Sequence, residues 1–139
     1  MMPKQFWLNL PVKNIEKSKA FFTSLGFKFN TQHGNGPNSV CLMIGEKDVV
    51  VMLFDEPTFK QCLGDTAWEI SKSSEVLLSI DAESKGEVDE MVQKAIAAGG
   101  SSNHVPSEMK GWMYGCVFSD IDGHKWNVLY MDMKKMQNG

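Results

Sequence analysis

The sequence contains no arginine. All 14 basic residues of the 139-residue chain are lysine, so no guanidinium is on offer to clamp a carboxylate or phosphate through two parallel hydrogen bonds. Substrates rich in carboxylates, glutathione conjugates among them, lose their commonest anchor. Cysteine is scarce as well. Cys41, Cys62 and Cys116 are odd in number and without C-x-x-C spacing, the pattern of reduced structural thiols in a cytoplasmic protein. No apolar run approaches the ~18–20 residues of a membrane span. The opening M-M-P-K-Q-F-W-L-N-L-P-V, broken by Asn9 and Pro11, reads as a strand of the fold and not as a secretory leader. Basic clusters are missing too. Lys134–Lys135 is the one adjacent pair, and the formal net charge is −3, which removes the footprint of a nucleic-acid partner.

What is there is the composition of a single globular domain, 42% hydrophobic and 22% charged, with enough chain to bury one core. It is also a pattern written twice. F-W-L-N-L-P-V-K-N-I-E-K-S-K-A-F-F-T-S-L-G-F and E-V-L-L-S-I-D-A-E-S-K-G-E-V-D-E-M-V-Q-K-A-I-A-A-G-G each run strand, polar turn, amphipathic helix and glycine stop. In the second copy Ser84 and Glu87 form a capping box. Val88, Met91, Val92, Ala95 and Ile96 then fall on one stripe, and Gly99–Gly100 ends the helix. In the first copy Asn14 is the cap, Ile15, Phe22 and Leu25 the stripe, and Gly26 the stop.

Turn residues divide the stretch after each helix into strands. These are predicted at 26–31, 38–45 and 48–55 in the first half, and at 101–105, 112–119 and 124–131 in the second. D-I-D-G-H between the last two is a hairpin turn with Gly123 at positive φ. It is not a calcium loop, because the twelfth position counted from Asp120 is Met131 where a glutamate is needed. The expected fold is α+β, two βαβββ modules forming a curved eight-stranded mixed-sheet cup with helices outside. Module one spans 1–56, a linker with a short helix 57–73, module two 74–133 and a tail 134–139.

Two-residue alternation assigns faces. Phe6, Leu8 and Leu10, with Val76, Leu78 and Ile80, should lie under the helices. The alternates, Trp7, Asn9, Val50, Met52 and Phe54, then Glu75, Leu77, Ser79, Asn127, Leu129 and Met131, should line the cup, where a small molecule would bind.

The doubled order, together with L-P-V-K-N-I-E-K-S-K-A-F-F-T-S-L-G-F, E-V-L-L-S-I-D-A and M-Y-G-C-V-F-S-D-I-D-G-H-K-W-N-V, resembles the vicinal oxygen chelate superfamily. That is the glyoxalase, bleomycin-resistance and extradiol dioxygenase group, and the likeness is strongest to its small bacterial predicted lactoylglutathione lyases. The resemblance implies a homodimer, and in metal-dependent members a ligand on the first and fourth strand of each half. Those positions here are Trp7, Met52, Glu75 and Asn127. An indole N–H has no lone pair, a thioether suits hard cations poorly and an amide is a weak ligand. Glu75 alone is a good one. Shifting the register by one residue brings Phe6 or Leu8, Val51 or Leu53, Ser74 or Val76, and Trp126 or Val128, which is no better. No cofactor is expected, and the donor set speaks against a divalent metal.

Other candidates are weaker. His33, His104 and His124 all fall in or beside turns. Met109, Met113, Met131 and Met133 offer either adaptable core filling or a pliable apolar wall. Glu75, at the edge of an apolar cup, should have a raised pKa and suit a general base or the partner of a cationic ligand. A wet strand end is the competing reading. The leading expectation is a metal-free binder of a moderately apolar small molecule through Trp7, Asn9, Met52, Phe54, Leu77, Trp112, Asn127 and Met131. A lyase or isomerase with Glu75 as base is the alternative, and an interaction protein with a self-filled cup the third reading. Neither a nucleic acid nor a membrane is expected as partner.

Overall fold

The computed structural model describes residues 1–63 and 76–138. They divide into two compact units, Met1–Ile70 and Ser71–Gly139. Both follow the expected α+β plan, a four-stranded mixed sheet with a long helix packed against it.

In the N-terminal unit β1 (Leu8–Val12) leads into α1 (Ile15–Ser24), then β2 (Lys28–Phe29), β3 (Ser39–Ile44), β4 (Val49–Asp55) and α2 (Glu56–Leu63). The spatial order is β1-β4-β3-β2, with β1 parallel to β4 and the other pairs antiparallel. Asn14 caps α1 by accepting from the Lys17 amide at 2.9 Å. Gly26, at φ +91°, stops it. The Phe27 amide reaches back to the Phe22 carbonyl at 3.0 Å and the Gly26 amide to Thr23 at 3.0 Å, the paired bonds of a Schellman motif. Phe27 completes it by stacking on Phe22. Ile15, Phe21, Phe22 and Leu25 of α1 and its cap bury against Val12, Leu42, Val51 and Leu53.

The C-terminal unit repeats the plan. β5 (Leu77–Ala82), α3 (Lys85–Ala97), β6 (Ser107–Met109), β7 (Met113–Ser119), β8 (Lys125–Met131) and α4 (Met133–Asn138) follow one another, and the sheet order is β5-β8-β7-β6. Ser84 caps α3 through the Glu87 amide at 3.1 Å. The Glu87 carboxylate accepts from the Glu83 amide at 2.7 Å, one residue before the usual partner in a capping box. Gly99 and Gly100 close α3 with a second Schellman motif, Gly100 to Ala95 and Gly99 to Ile96. Val88, Val92 and Ala95 of α3 bury against Cys116, Phe118, Trp126 and Val128.

The structure corrects several expectations. Phe6 and Val76 precede their strands and are 78% and 51% exposed, so neither lies under a helix. Ile96 is also exposed; it sits ~80° round the helix from Val88, at the edge of the stripe. The strand predicted at 26–31 shrinks to two residues, because Gly26 still belongs to the helix stop and the Asn30 side chain turns the chain by accepting from the Gln32 and His33 amides. The strand predicted at 101–105 is a single bridge, Ser101 to Ser119, and the paired strand lies further on, at Ser107–Met109. Ser102 is the cause: its hydroxyl bonds the Val117 carbonyl at 2.7 Å and accepts from the His104 amide, which bends the chain away from the ladder. The short helix expected in the linker is α2, which starts one residue earlier, at Glu56, while most of the tail, where no helix was expected, is helix α4.

Candidate functional site

Among the described residues each sheet has one face under its helix and one without. Register settles which residues lie on the helix-free face, since paired residues point the same way. In the N-terminal unit Asn9 pairs with Met52, Pro11 with Phe54, and Cys41 with Met52. In the C-terminal unit Ser79 and Val117 flank Asn127, Asp81 and Gly115 flank Leu129, and Met113 pairs with Met131. Alternation therefore placed Asn9, Met52, Phe54, Leu77, Asn127 and Met131 on the correct faces.

The two faces differ in cover. Over the N-terminal sheet the loop 30–38 folds back onto Cys41 and Met52. A methyl group at Gly34 would stand 2.8 Å from Cys41 Cβ and 3.4 Å from Met52 Sδ. Asn35 fastens the loop, its amide donating to the Asn30 carbonyl and its oxygen accepting from the Cys41 amide at 3.3 Å. Met52 thus lies beneath a loop of its own unit and is half-buried. Burial also pushes the Cys41 thiol above its usual value, away from a nucleophilic thiolate.

The C-terminal face carries no such loop among its described residues. Leu77 is 53% and Met131 40% exposed, while Val117, Asn127, Leu129 and Met113 are half-buried. Leu129 lies over Gly115, where any side chain would meet it within 2.5 Å. At the centre the Asn127 amide donates to Ser79 Oγ at 3.4 Å. Beside it Lys125 donates to Ser119 Oγ. Lys125 was missed from the sequence, although it lies two residues from Asn127 on the same strand and so on the same face.

The remaining candidates separate from this face. Glu75 lies outside the described residues. Trp7 stands before β1, half exposed. Trp112 lines a shallow groove with Lys85, Glu108 and Tyr130 on the helix side of the C-terminal sheet, where Tyr114 donates to Asp89 of α3 at 2.6 Å. Met109 shares the helix-free face through its pairing with Met113, whereas Met133 belongs to α4. His33 and His104 are exposed in loops, and among the described residues no three His, Cys, Asp or Glu side chains gather into a metal-binding group. His124 is half-buried, and its backbone carbonyl closes the β7–β8 turn by accepting from the Asp120 amide at 3.0 Å.

A family model described as bleomycin resistance protein-like N-terminal matches residues 4–45. The hypothetical protein SA1046 from S. aureus superposes with a TM-score of 0.82 at 33% identity, covering 94% of this chain and 95% of its own. The chain belongs to the vicinal oxygen chelate superfamily. More distant superfamily structures share the fold. One is a glyoxalase/bleomycin resistance protein/dioxygenase family enzyme from Burkholderia phytofirmans PsJN, with TM-score 0.78, 21% identity and coverage of 90% and 96% of the two chains. Another is the genomically encoded fosfomycin resistance protein FosX from Listeria monocytogenes, with TM-score 0.69, 16% identity and coverage of 97% and 98%. No curated protein matches the chain.

The superfamily's metal chemistry asks for donors that three of the four positions do not supply. Trp7 offers an N–H, Met52 a thioether lying under the Gly34 loop, and Asn127 an amide whose nitrogen is turned toward Ser79. The described part of the set does not fit a divalent ion.

Proposed function

We propose that this protein is a metal-free binder of a moderately apolar small molecule, held on the helix-free face of the C-terminal sheet. The observation that carries the reading is the makeup of that face. A sheet face without a covering helix is ordinarily polar, yet this one presents Leu77, Val117, Leu129, Met113 and Met131 around two polar pairs, Asn127 with Ser79 and Lys125 with Ser119, with Asp81 at one edge. Apolar walls with a few placed polar groups are the usual lining of a ligand site, and methionines let it adapt to shape. The fold shared with bleomycin- and fosfomycin-resistance proteins supports the same reading. In this reading the protein works in the cytoplasm, as reduced Cys41, Cys62 and Cys116 suit, and as a homodimer, which light scattering would weigh. Among the described residues no helix is long and apolar enough to cross a membrane.

The test is a screen of moderately apolar small molecules on the protein labelled with ¹³C at its methionine methyls. A ligand should move the Met113 and Met131 signals saturably. At ~100 Kd it should also stabilise the fold by roughly 2.7 kcal/mol, read as a melting shift of a few degrees. Saturable binding that leaves both methyls still would place the ligand elsewhere and sink the proposal.

A further inference from the structure

From this proposed site we infer the chemical class of its ligand: an amphipathic molecule with an anionic head, taken by Lys125 and its neighbours at one end of the C-terminal face. The inference rests on the binding reading above and on an ammonium group that has no carboxylate partner among the described residues. Lys125 pairs across the sheet with Leu77 and Ser119, and Asn127 with Ser79 and Val117. The two polar pairs therefore lie side by side, ~7 Å apart along the strand.

Lys125 is half-buried and has three ammonium protons, of which one goes to Ser119 Oγ. Among the described residues no carboxylate pairs with it; the ion pairs there are Lys85–Glu108 and Lys94–Glu90. The Ser79 hydroxyl accepts from Asn127 and has no acceptor of its own among the described residues, and Asn127 keeps a second amide proton. Two ammonium protons, the Ser79 and Ser119 hydroxyl protons and one amide proton thus have no acceptor among the described residues, and the acceptors left beside them, Asn127 Oδ1 and the two hydroxyl oxygens, are all neutral. A half-buried cation with neutral acceptors alone around it is completed by a carboxylate, phosphonate or other anionic oxygen.

The opposite sign is found further along. Asp81 pairs with Leu129, two positions beyond Ser79, and is exposed on the same face. It leaves the Lys125 end as the place for the anion. The apolar body of the ligand then runs over Leu129 toward Met113 and Met131. With no arginine in the chain, the head group is held as a point charge with neutral donors beside it, not by a bidentate fork. A single anionic group suits this site better than a polycarboxylate.

Octanoate, octanol and octylamine share one tail and differ in head-group charge, so they test the assignment on the full-length protein by titration at the methionine methyls. Octanoate should bind about tenfold more tightly than octanol and octylamine. Lys125→Met, which keeps the stem, should abolish that preference while octanol still binds; Lys125→Arg should retain it. Equal affinity for the three, a preference for octylamine, or an octanoate preference that survives in Lys125→Met would overturn the inference and leave the binding reading standing. Failure of all three to bind would overturn both.

Discussion

Asp120 shows how one residue can hold a turn and resist substitution. It is buried, and its Oδ1 accepts from the Asp122 and His124 amides at 3.0 Å each, while Oδ2 accepts from Trp126 Nε1 at 3.1 Å. Trp126 is itself fully buried in the core of the C-terminal unit, so this carboxyl ties the hairpin turn to the centre of the fold. Burial pushes its pKa above the ordinary carboxylate range, with His124, the indole and the two backbone amides pulling against that rise. Asp120→Asn removes the charge yet turns an NH₂ toward either the indole N–H or the two backbone N–H groups. A donor facing a donor costs about 1–3 kcal/mol, so the variant should unfold at lower urea despite losing a buried carboxyl. The pH dependence has a definite sign. A raised folded pKa gives stability that is fully present below the unfolded value, ~3.9, and is lost as pH rises through the folded one. Asn does not titrate, so the stability gap between wild type and Asp120→Asn should narrow as pH rises through that window. A gap that widens would show that the three hydrogen bonds outweigh burial.

At the scale of elements the loop 30–38 and the two helix stops separate conformational strain from steric contact. Gly26 and Gly34 both have positive φ, +91° and +79°, so alanine is strained at either by about 1–2 kcal/mol. Around Gly26 nothing lies within 4 Å of an added methyl, whereas at Gly34 the methyl meets Cys41 Cβ at 2.8 Å. Gly34→Ala should therefore cost more than Gly26→Ala in urea unfolding, and it should raise the labelling rate of Cys41 by lifting the loop. Equal costs with Cys41 still protected would mean that the loop does not hold the face shut. These elements also show what the sequence could reveal. The caps at Asn14 and Ser84 and the stops at Gly26 and Gly99 were legible because their hydrogen bonds close within five residues, and alternation found the open faces because register preserves it. The true position of β6 was not legible, since it depends on Ser102 reaching Val117, fifteen residues away. Nor was the Gly34 cover over Met52, a contact made only once β3 and β4 have paired. Lys125 was legible in principle, from the same alternation that marked Asn127.

Over the whole molecule, the doubled βαβββ plan follows the superfamily's scaffold, while three of the four positions that the resemblance assigns to metal ligands carry residues poorly suited to a divalent cation. Trp7 and Asn127 bring an indole and an amide, Met52 is covered by its own loop, and the chain has no arginine for the carboxylates of a glutathione conjugate. Glu75 is the one strong donor in the set, and a single carboxylate leaves most of the coordination sphere of a divalent ion to water. After incubation with Ni²⁺, Zn²⁺, Mn²⁺ or Fe²⁺ and exhaustive dialysis, elemental analysis should find far less than a stoichiometric amount of metal, with the melting temperature unmoved. Glu75→Gln extends the same experiment to catalysis. If Glu75 is the base of a lyase or isomerase, its loss should cut turnover of a carbon acid by orders of magnitude while melting stays unchanged. For a binder, neither metal content nor turnover responds to Glu75→Gln, and octanoate affinity follows Lys125 instead. A stoichiometric ion that Glu75→Gln and Asn127→Ala each release would restore the metal-dependent reading and displace the proposed one.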